Sequence, residues 1–128
     1  MCQFSWSVGL AQADWVELTG SASGRFTVYA DPVTQHIAKK GGMVRMSVLF
    51  DYKAVQKLNS FSYLSMRAQQ QFDCKEELSR RLASSLFAGN MANGKVVSTD
   101  LTEGPWVPFA PGSIGHTLWN VACDTAKH

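Results

Sequence analysis

The sequence has no hydrophobic run long enough to cross a bilayer and no region in which charge of one sign is concentrated. A transmembrane helix needs about 20 consecutive apolar residues, and no run in these 128 residues approaches that length. The 12 basic and 10 acidic residues are interspersed and give a net charge of +2, whereas nucleic-acid-binding domains concentrate Lys and Arg in a patch or stripe. We therefore expect neither a transmembrane segment nor a nucleic-acid partner.

The short motifs of hydrolases and metalloproteins are also missing. There is no G-x-S-x-G sequence, and His36, His116 and His128 lie in unrelated contexts. No H-x3-H or C-x2-C pair is present to begin a zinc site. No glycine-rich segment opens a helix, as a phosphate-binding loop would. We predict a protein without catalytic residues, metal or cofactor.

Residues 1–13 resemble the end of a secretory signal peptide. Ala11 and Ala13 lie three places and one place before Asp14, the positions at which a signal peptidase requires small side chains. The segment carries no Lys or Arg, so the basic front end of a signal is absent. We predict cleavage between Ala13 and Asp14, which leaves residues 14–128 as a single domain. The alternative is a short N-terminal strand or a disordered lead.

Cysteine is scarce, and cleavage would make the count even. Removal of Cys2 leaves Cys74 and Cys123. In an oxidising compartment two such thiols pair if their Cβ atoms approach to about 4 Å. The alternative is two separate buried thiols, of which Cys74 could then act as a nucleophile. Cys2 is a poor lipoprotein cysteine, because the residue before it is Met1 and not a small residue.

Short runs of alternating apolar and polar residues, separated by turn residues, predict β-strands. These runs cover residues 25–31, 44–50, 61–72, 95–99 and 106–109. In the clearest of them, one face carries Val44, Met46, Val48 and Phe50, and the other carries Arg45, Ser47, Leu49 and Asp51. Strands at this spacing without intervening helices favour an antiparallel meander.

The end of the chain predicts a helix of about three turns. Ile114, Leu118 and Ala122 recur at helical spacing, and Ser113 is suited to cap the first turn. Residues 75–87 are ambiguous. Helix propensity favours a helix there, but Leu78, Leu82 and Leu86 would also share one face of a regular strand, so periodicity alone does not decide between the two.

The order of these motifs resembles a known family. The resemblance rests on Asp73-Cys74 at the end of a strand, Gly94-Lys95-Val96-Val97, Trp106, Pro111-Gly112-Ser113 and the final Cys123. This frame is similar to that of the surface-adhesin protein E family of Gram-negative bacteria, whose members are small exported domains, and it covers nearly all of residues 14–124. The family includes a Haemophilus adhesin that is displayed as a lipoprotein, whereas the present sequence predicts ordinary cleavage.

The resemblance implies an α+β fold, with an antiparallel sheet of about five to six strands and a C-terminal helix packed on it. It implies a disulfide that ties Cys74 to Cys123, and it favours a strand over a helix for residues 75–87. It also implies a non-catalytic envelope protein that binds host matrix proteins. The alternative is a soluble periplasmic accessory protein without an adhesion role.

Candidate binding residues are basic side chains expected to point outward. Arg45, Lys53, Arg67, Arg80 and Arg81 would form a shallow patch for acidic protein segments or glycans if their strands are neighbours. The simpler interpretation is that these residues only keep the surface solvated. Trp15, Trp106 and Trp119 are expected to be structural. An exposed edge strand would also allow a homodimer.

Overall fold

A computed structural model of the chain describes residues 15–18, 25–31 and 42–126. The predicted cleavage site at Ala13 and Asp14, together with Cys2, His36 and His128, lies outside this part of the chain. The described residues form seven strands and one α-helix. They are β1 (Val16–Glu17), β2 (Phe26–Asp31), β3 (Met43–Leu58), β4 (Phe61–Asp73), β5 (Leu78–Phe87), β6 (Val96–Asp100), β7 (Val107–Pro108) and α1 (Ile114–Ala126).

The strands form one antiparallel sheet in the order β1-β2-β3-β4-β5-β6. Neighbours in sequence are therefore neighbours in space, as in the predicted meander. The short β7 pairs with the start of β5, where Leu78 lies opposite Pro108 and Ser79 opposite Val107. The predicted α+β fold, with a C-terminal helix packed on an antiparallel sheet, is confirmed. No helix within the described ranges is long and apolar enough to span a membrane.

The main core lies between the sheet and α1. Val44, Met46 and Val48 are almost completely buried on β3, and they lie opposite Phe72, Gln70 and Ala68 on β4. From the helix, Leu118, Ala122 and Cys123 complete the cluster. The alternation seen in the sequence therefore identifies the side of β3 that faces the helix.

Two contacts with the end of β4 fix α1 to the sheet. A disulfide joins Cys74 to Cys123, with Cα atoms 5.6 Å apart. One turn earlier on the helix, the indole Nε1 of Trp119 donates a hydrogen bond of 2.9 Å to the carbonyl of Asp73. At the helix start, Ser113 Oγ accepts the His116 N–H at 3.2 Å, which is the predicted cap. Trp119 is therefore a structural anchor and not an exposed binding residue.

The segment after Cys74 is a strand. Asp73 Oδ1 accepts the N–H groups of Lys75 and Glu76 in the turn, and β5 then runs from Leu78 to Phe87. This agrees with the family resemblance and not with helix propensity, because pairing with β4 on one side and with β6 and β7 on the other outweighs a weak local preference.

Two expectations about strand faces are wrong. A bulge between Gln69 and Gln70 leaves Leu82 without a direct partner, so that Leu78 and Leu86 lie on opposite faces of β5 instead of sharing one. Leu49 was expected on a polar face, but it is fully buried on the side away from α1. It lies in the ladder between Tyr29 and Arg67, whose long side chains flank it on that face.

The β3–β4 hairpin extends beyond the strands on either side of it. β2 begins at Phe26, opposite Tyr52, and β5 ends at Phe87, opposite Ser65. Residues 54–64, here called the hairpin tip, therefore form a two-stranded ribbon with no further strand beside it in the described chain. The ribbon closes at Asn59 and Ser60, and Asn59 adopts the positive φ of 56° that a tight turn requires.

Removal of the disulfide is expected to lower stability substantially. A Cys74→Ser/Cys123→Ser variant should lose about 4 kcal/mol of unfolding free energy, because the bond closes a 49-residue separation that the unfolded chain then regains. Urea denaturation measures this loss. Reductant should lower the midpoint of the parent but not that of the variant, and a reduced parent with an unchanged midpoint would contradict the prediction.

Candidate functional site

One side of the sheet faces away from α1 and carries arginine side chains. Arg45 on β3 lies opposite Gln71 on β4, and Gln71 lies opposite Arg80 on β5. Arg67 shares their face, because it lies an even number of residues from Gln71 on β4. We call this side of β3, β4 and β5 the arginine face.

The three guanidinium groups spread over a flat area. Arg45 and Arg80 are two strands apart in one row, so their Cα atoms are separated by about 10 Å. Arg67 lies four residues along β4 from that row, which is about 13 Å. Between the two rows lie Ser47 and Gln69, which are polar and half-buried. The surface therefore offers separated positive charges and hydrogen-bonding groups without a deep cleft.

Two of these arginines are held by aromatic rings. The Arg80 guanidinium carbon lies 4.9 Å from the centroid of the Trp106 ring, and its Nε donates to Gln71 Oε1 at 2.9 Å. Arg80 is also 3.4 Å from a carboxylate oxygen of Glu103. Arg67 lies 5.4 Å from the centroid of Phe87. Stacking on a ring limits the rotamers that the side chain samples, so that less entropy is lost when an anion binds.

The central strands carry far more positive than negative charge. β3, β4 and β5 contain six cations, Arg45, Lys53, Lys57, Arg67, Arg80 and Arg81, and two carboxylates, Asp51 and Asp73. Both carboxylates accept hydrogen bonds from backbone N–H groups. Asp51 and Asp73 themselves lie on the arginine face, and burial, Glu17 and Asp51 raise the pKa of Tyr29 beside Leu49. Positive charge on this face is therefore concentrated at the arginines.

The loop between β5 and β6 is locked onto one end of this face. Asp51 Oδ1 accepts the Met91 N–H at 2.7 Å and the Asn90 side-chain amide at 3.0 Å. The fully buried Ser65 hydroxyl donates to the Gly89 carbonyl at 2.6 Å and accepts the Ala92 N–H at 2.9 Å. These bonds hold Met91 and Ala92 in left-handed backbone conformations, each with a φ of 57°.

The other predicted binding residues lie away from this face. Arg81 lies opposite Gln70, on the helix side of the sheet, and is 3.6 Å from a carboxylate oxygen of Asp100. The backbone N–H of Thr102 binds Asp100 and lowers the pKa of its carboxyl group, with Arg81 acting in the same direction. Lys53 lies at the base of the hairpin tip. The structure therefore brings together three of the five predicted basic residues.

His116 is packed between aromatic rings. Its imidazole centroid is 5.5 Å from that of Phe109 and 6.0 Å from that of Trp119. Among the described residues, no three His, Cys, Asp or Glu side chains come together as metal ligands. His116 therefore belongs to the packing at the start of α1.

The sequence did not identify the residues that shape the arginine face. Trp106 and Gln71 hold Arg80, but they are 26 and nine residues away from it in the chain. Gln71 reaches Arg80 through the pairing of β4 with β5. Trp106 reaches it because the loop before β7 folds back along the edge of β5, where the Gly104 N–H donates to the Arg81 carbonyl at 2.8 Å. No local pattern predicts such a contact.

Comparisons with known proteins match the chain to one family model and to solved structures of one fold. A family model described as surface-adhesin protein E matches residues 15–124. Crystal form II of Haemophilus influenzae protein E superimposes with a TM-score of 0.73 at 8% identity, covering 92% of this chain and 93% of that one. A second Haemophilus influenzae protein E structure gives 0.71 at 9% identity, covering 92% and 90%.

Protein E from non-typeable Haemophilus influenzae gives a TM-score of 0.58 at 12% identity, covering 88% of this chain and 86% of that one. None of the curated proteins matches the chain. At such low identities the structural likeness shows a shared fold.

We expect the conformation of the β5–β6 loop to depend on the Ser65 hydroxyl. Ser65→Ala should lower the unfolding free energy by about 1–3 kcal/mol, because it leaves the Gly89 carbonyl and the Ala92 N–H without their partner. Ser62→Ala, at an exposed position on the same strand, should change it by less than about 0.5 kcal/mol. Urea denaturation compares the two variants, and equal losses would contradict the assignment.

Proposed function

Because this chain belongs to the surface-adhesin protein E family, we propose that it is an exported, non-catalytic protein of the bacterial envelope that binds host matrix proteins. Family membership supports export and an adhesin role. The matrix ligand and the absence of catalysis are our extension to this chain. The ligand chemistry that we assign is an acidic protein segment or an acidic glycan attached to such a protein.

The arginine face is the observation that carries this proposal. Arg45 and Arg67 are exposed on a flat sheet, and the carboxylates of Asp51 and Asp73 on the same face accept backbone hydrogen bonds. A flat surface that presents separated arginines is complementary to an extended acidic segment and is less suited to enclosing a small substrate. The contact would be formed by charge-assisted hydrogen bonds from arginine, which suit carboxylate and sulfate groups.

Three further observations support a binding protein over an enzyme. Cys74 is bonded to Cys123 and so is not available as a thiolate nucleophile. The His116 ring is stacked between Phe109 and Trp119. The arginine face is composed of side chains that bind anions and lacks an adjacent nucleophile and base held in hydrogen-bonding contact.

Neutralising the exposed arginines should weaken binding. We expect Arg45→Gln/Arg67→Gln to reduce affinity for matrix proteins, and for heparan sulfate as a polyanionic probe, by about tenfold near physiological salt. This corresponds to about 0.7 kcal/mol for each exposed charge. Binding to immobilised ligand at several salt concentrations measures the effect, and the variant should also show a shallower salt dependence.

The matched control removes two charges elsewhere. Arg81→Gln/Lys95→Gln changes the net charge by the same amount but lies off the arginine face, so its affinity should stay within about twofold of that of the parent. If both double variants lose affinity equally, binding depends on net charge alone and the assigned face is wrong. If no matrix protein binds the parent, the adhesin role is wrong.

Adhesion requires exposure on the outer surface of the cell. We expect a membrane-impermeant amine reagent to label the protein on intact cells, because Lys53, Lys57, Lys75 and Lys95 are exposed on the fold. A periplasmic protein of known location serves as the control and should stay unlabelled. Labelling only after the outer membrane is permeabilised would favour the periplasmic accessory role over adhesion.

A further inference from the structure

The hairpin tip exposes large apolar side chains. Val55 is 55% exposed, Leu58 47% and Phe61 42%. They flank the Asn59–Ser60 turn, where neither β2 nor β5 extends alongside the ribbon. A two-stranded ribbon gains little stability from exposed apolar residues, so their concentration at this point needs an explanation other than folding.

Two of the apolar residues form a pair at the closed end of the ribbon. Leu58 lies directly opposite Phe61, and these two share a face with Gln56 and Tyr63. Val55 lies farther from the turn, within the register shift between Asp51 and Gln56. Leu58 and Phe61 are therefore the exposed apolar side chains nearest the turn.

The stretch of chain that contains the tip carries positive but no negative charge. From Tyr52 to Phe72 the chain contains Lys53, Lys57 and Arg67 and no acidic residue. Among the described residues, no carboxylate lies within salt-bridge distance of Lys53 or Lys57. Where the tip joins the sheet, a shallow recess of about 310 Å³ is lined by Arg25, Lys53, Ala54 and Gln56. The recess thus combines two cationic side chains with an amide.

An aromatic pair lies between the apolar end and this recess. Tyr52 and Tyr63 pack edge to face with ring centroids 5.7 Å apart. Tyr63 lies two residues behind Phe61, a distance of about 7 Å along the strand. Tyrosine is favoured at the level of lipid headgroups, where its ring is apolar and its hydroxyl is hydrated.

We propose that the hairpin tip binds an anionic lipid bilayer, with Leu58 and Phe61 entering the boundary between headgroups and acyl chains. Lys57 and Lys53 lie behind this pair along the ribbon, where their positive charge complements the lipid phosphates.

Shape and charge favour an anionic bilayer as the occupant. The tip is a narrow ribbon with an exposed apolar pair at its turn, and the lysines behind that pair have no carboxylate partner among the described residues. Insertion of Leu58 and Phe61 keeps the lysines hydrated at the lipid surface. The inference does not depend on the arginine face, whose exposed side chains begin about 20 Å away, at Arg67, along β4 from Phe61.

Vesicle flotation tests the proposal with the full chain, disulfide intact. The parent should float with vesicles of phosphatidylcholine and phosphatidylglycerol in equal parts, and at least about tenfold less with phosphatidylcholine alone. Leu58→Ser/Phe61→Ser should lower partitioning into the mixed vesicles by about tenfold or more. Lys53→Gln/Lys57→Gln should lower it by a similar factor, and only in vesicles that contain phosphatidylglycerol.

The matched control replaces exposed apolar residues elsewhere. Val96 and Leu101 are 48% and 73% exposed, and Val96→Ser/Leu101→Ser should partition as the parent does. All variants retain residues 1–13, so any contribution from that segment cancels. Urea midpoints equal to that of the parent show that the tip variants are folded. In a Phe61→Trp variant, brominated lipid should quench the added tryptophan emission and so locate the tip in the bilayer.

Four outcomes would overturn the proposal. The first is a parent that does not float with anionic vesicles, and the second is tip variants that float as well as the parent does. The third is a Leu58→Ser/Phe61→Ser variant that loses binding to an immobilised matrix protein while flotation is unchanged, in which case the tip docks on protein. The fourth is an equal loss of flotation in the tip variant and the control variant, which would show nonspecific hydrophobic association and not a membrane-binding tip.

Discussion

The helix α1 is attached to the sheet where β4 ends, and the rest of the molecule is arranged around that attachment. The Cys74–Cys123 bond and the hydrogen bond from Trp119 to the Asp73 carbonyl act within one helical turn of each other. A covalent bond alone would leave the helix free to pivot about it, whereas two neighbouring contacts also fix its rotation. Because a single helix covers only one face of a sheet, this attachment decides which side of the sheet carries the main core.

Within residues 15–18, 25–31 and 42–126, no second layer covers the opposite face, which is stabilised in other ways. It achieves this with a small buried strip of Leu49, Ser65 and Phe87, below 8% exposure in each case, and with the locked β5–β6 loop. The polar groups in this strip are satisfied, since Ser65 both donates and accepts a hydrogen bond. The β5–β6 loop covers the buried strip at one end of this face. The rest of the face can therefore present arginines without exposing the core.

Individual residues show which features of the structure can be predicted from the local sequence. Alternation at Val44, Met46 and Val48 identified the buried side of β3, because period-two patterns reflect strand geometry directly. The end of β3 was missed, since residues beyond Phe50 do not alternate and are held in the strand by pairing with β4. The bulge at Leu82 and the stacking of Arg80 on Trp106 arise from register and loop path, which depend on contacts distant in sequence. For residues 75–87 the resemblance to a family decided correctly where propensity did not.

The arginine face and the hairpin tip are separated because the β3–β4 hairpin is long. Its closed end lies thirteen residues along β4 from the helix attachment, which is about 43 Å. The arginines occupy the part flanked by β5, where neighbouring strands make the sheet flat and rigid. The tip occupies the part beside which the described residues form no further strand, and there the two-stranded ribbon is narrow enough to enter a bilayer. With the tip in lipid, the strands would point away from the membrane, and the Arg45 row would stand about 33 Å above the tip, clear of the lipid surface that would otherwise compete for its charge.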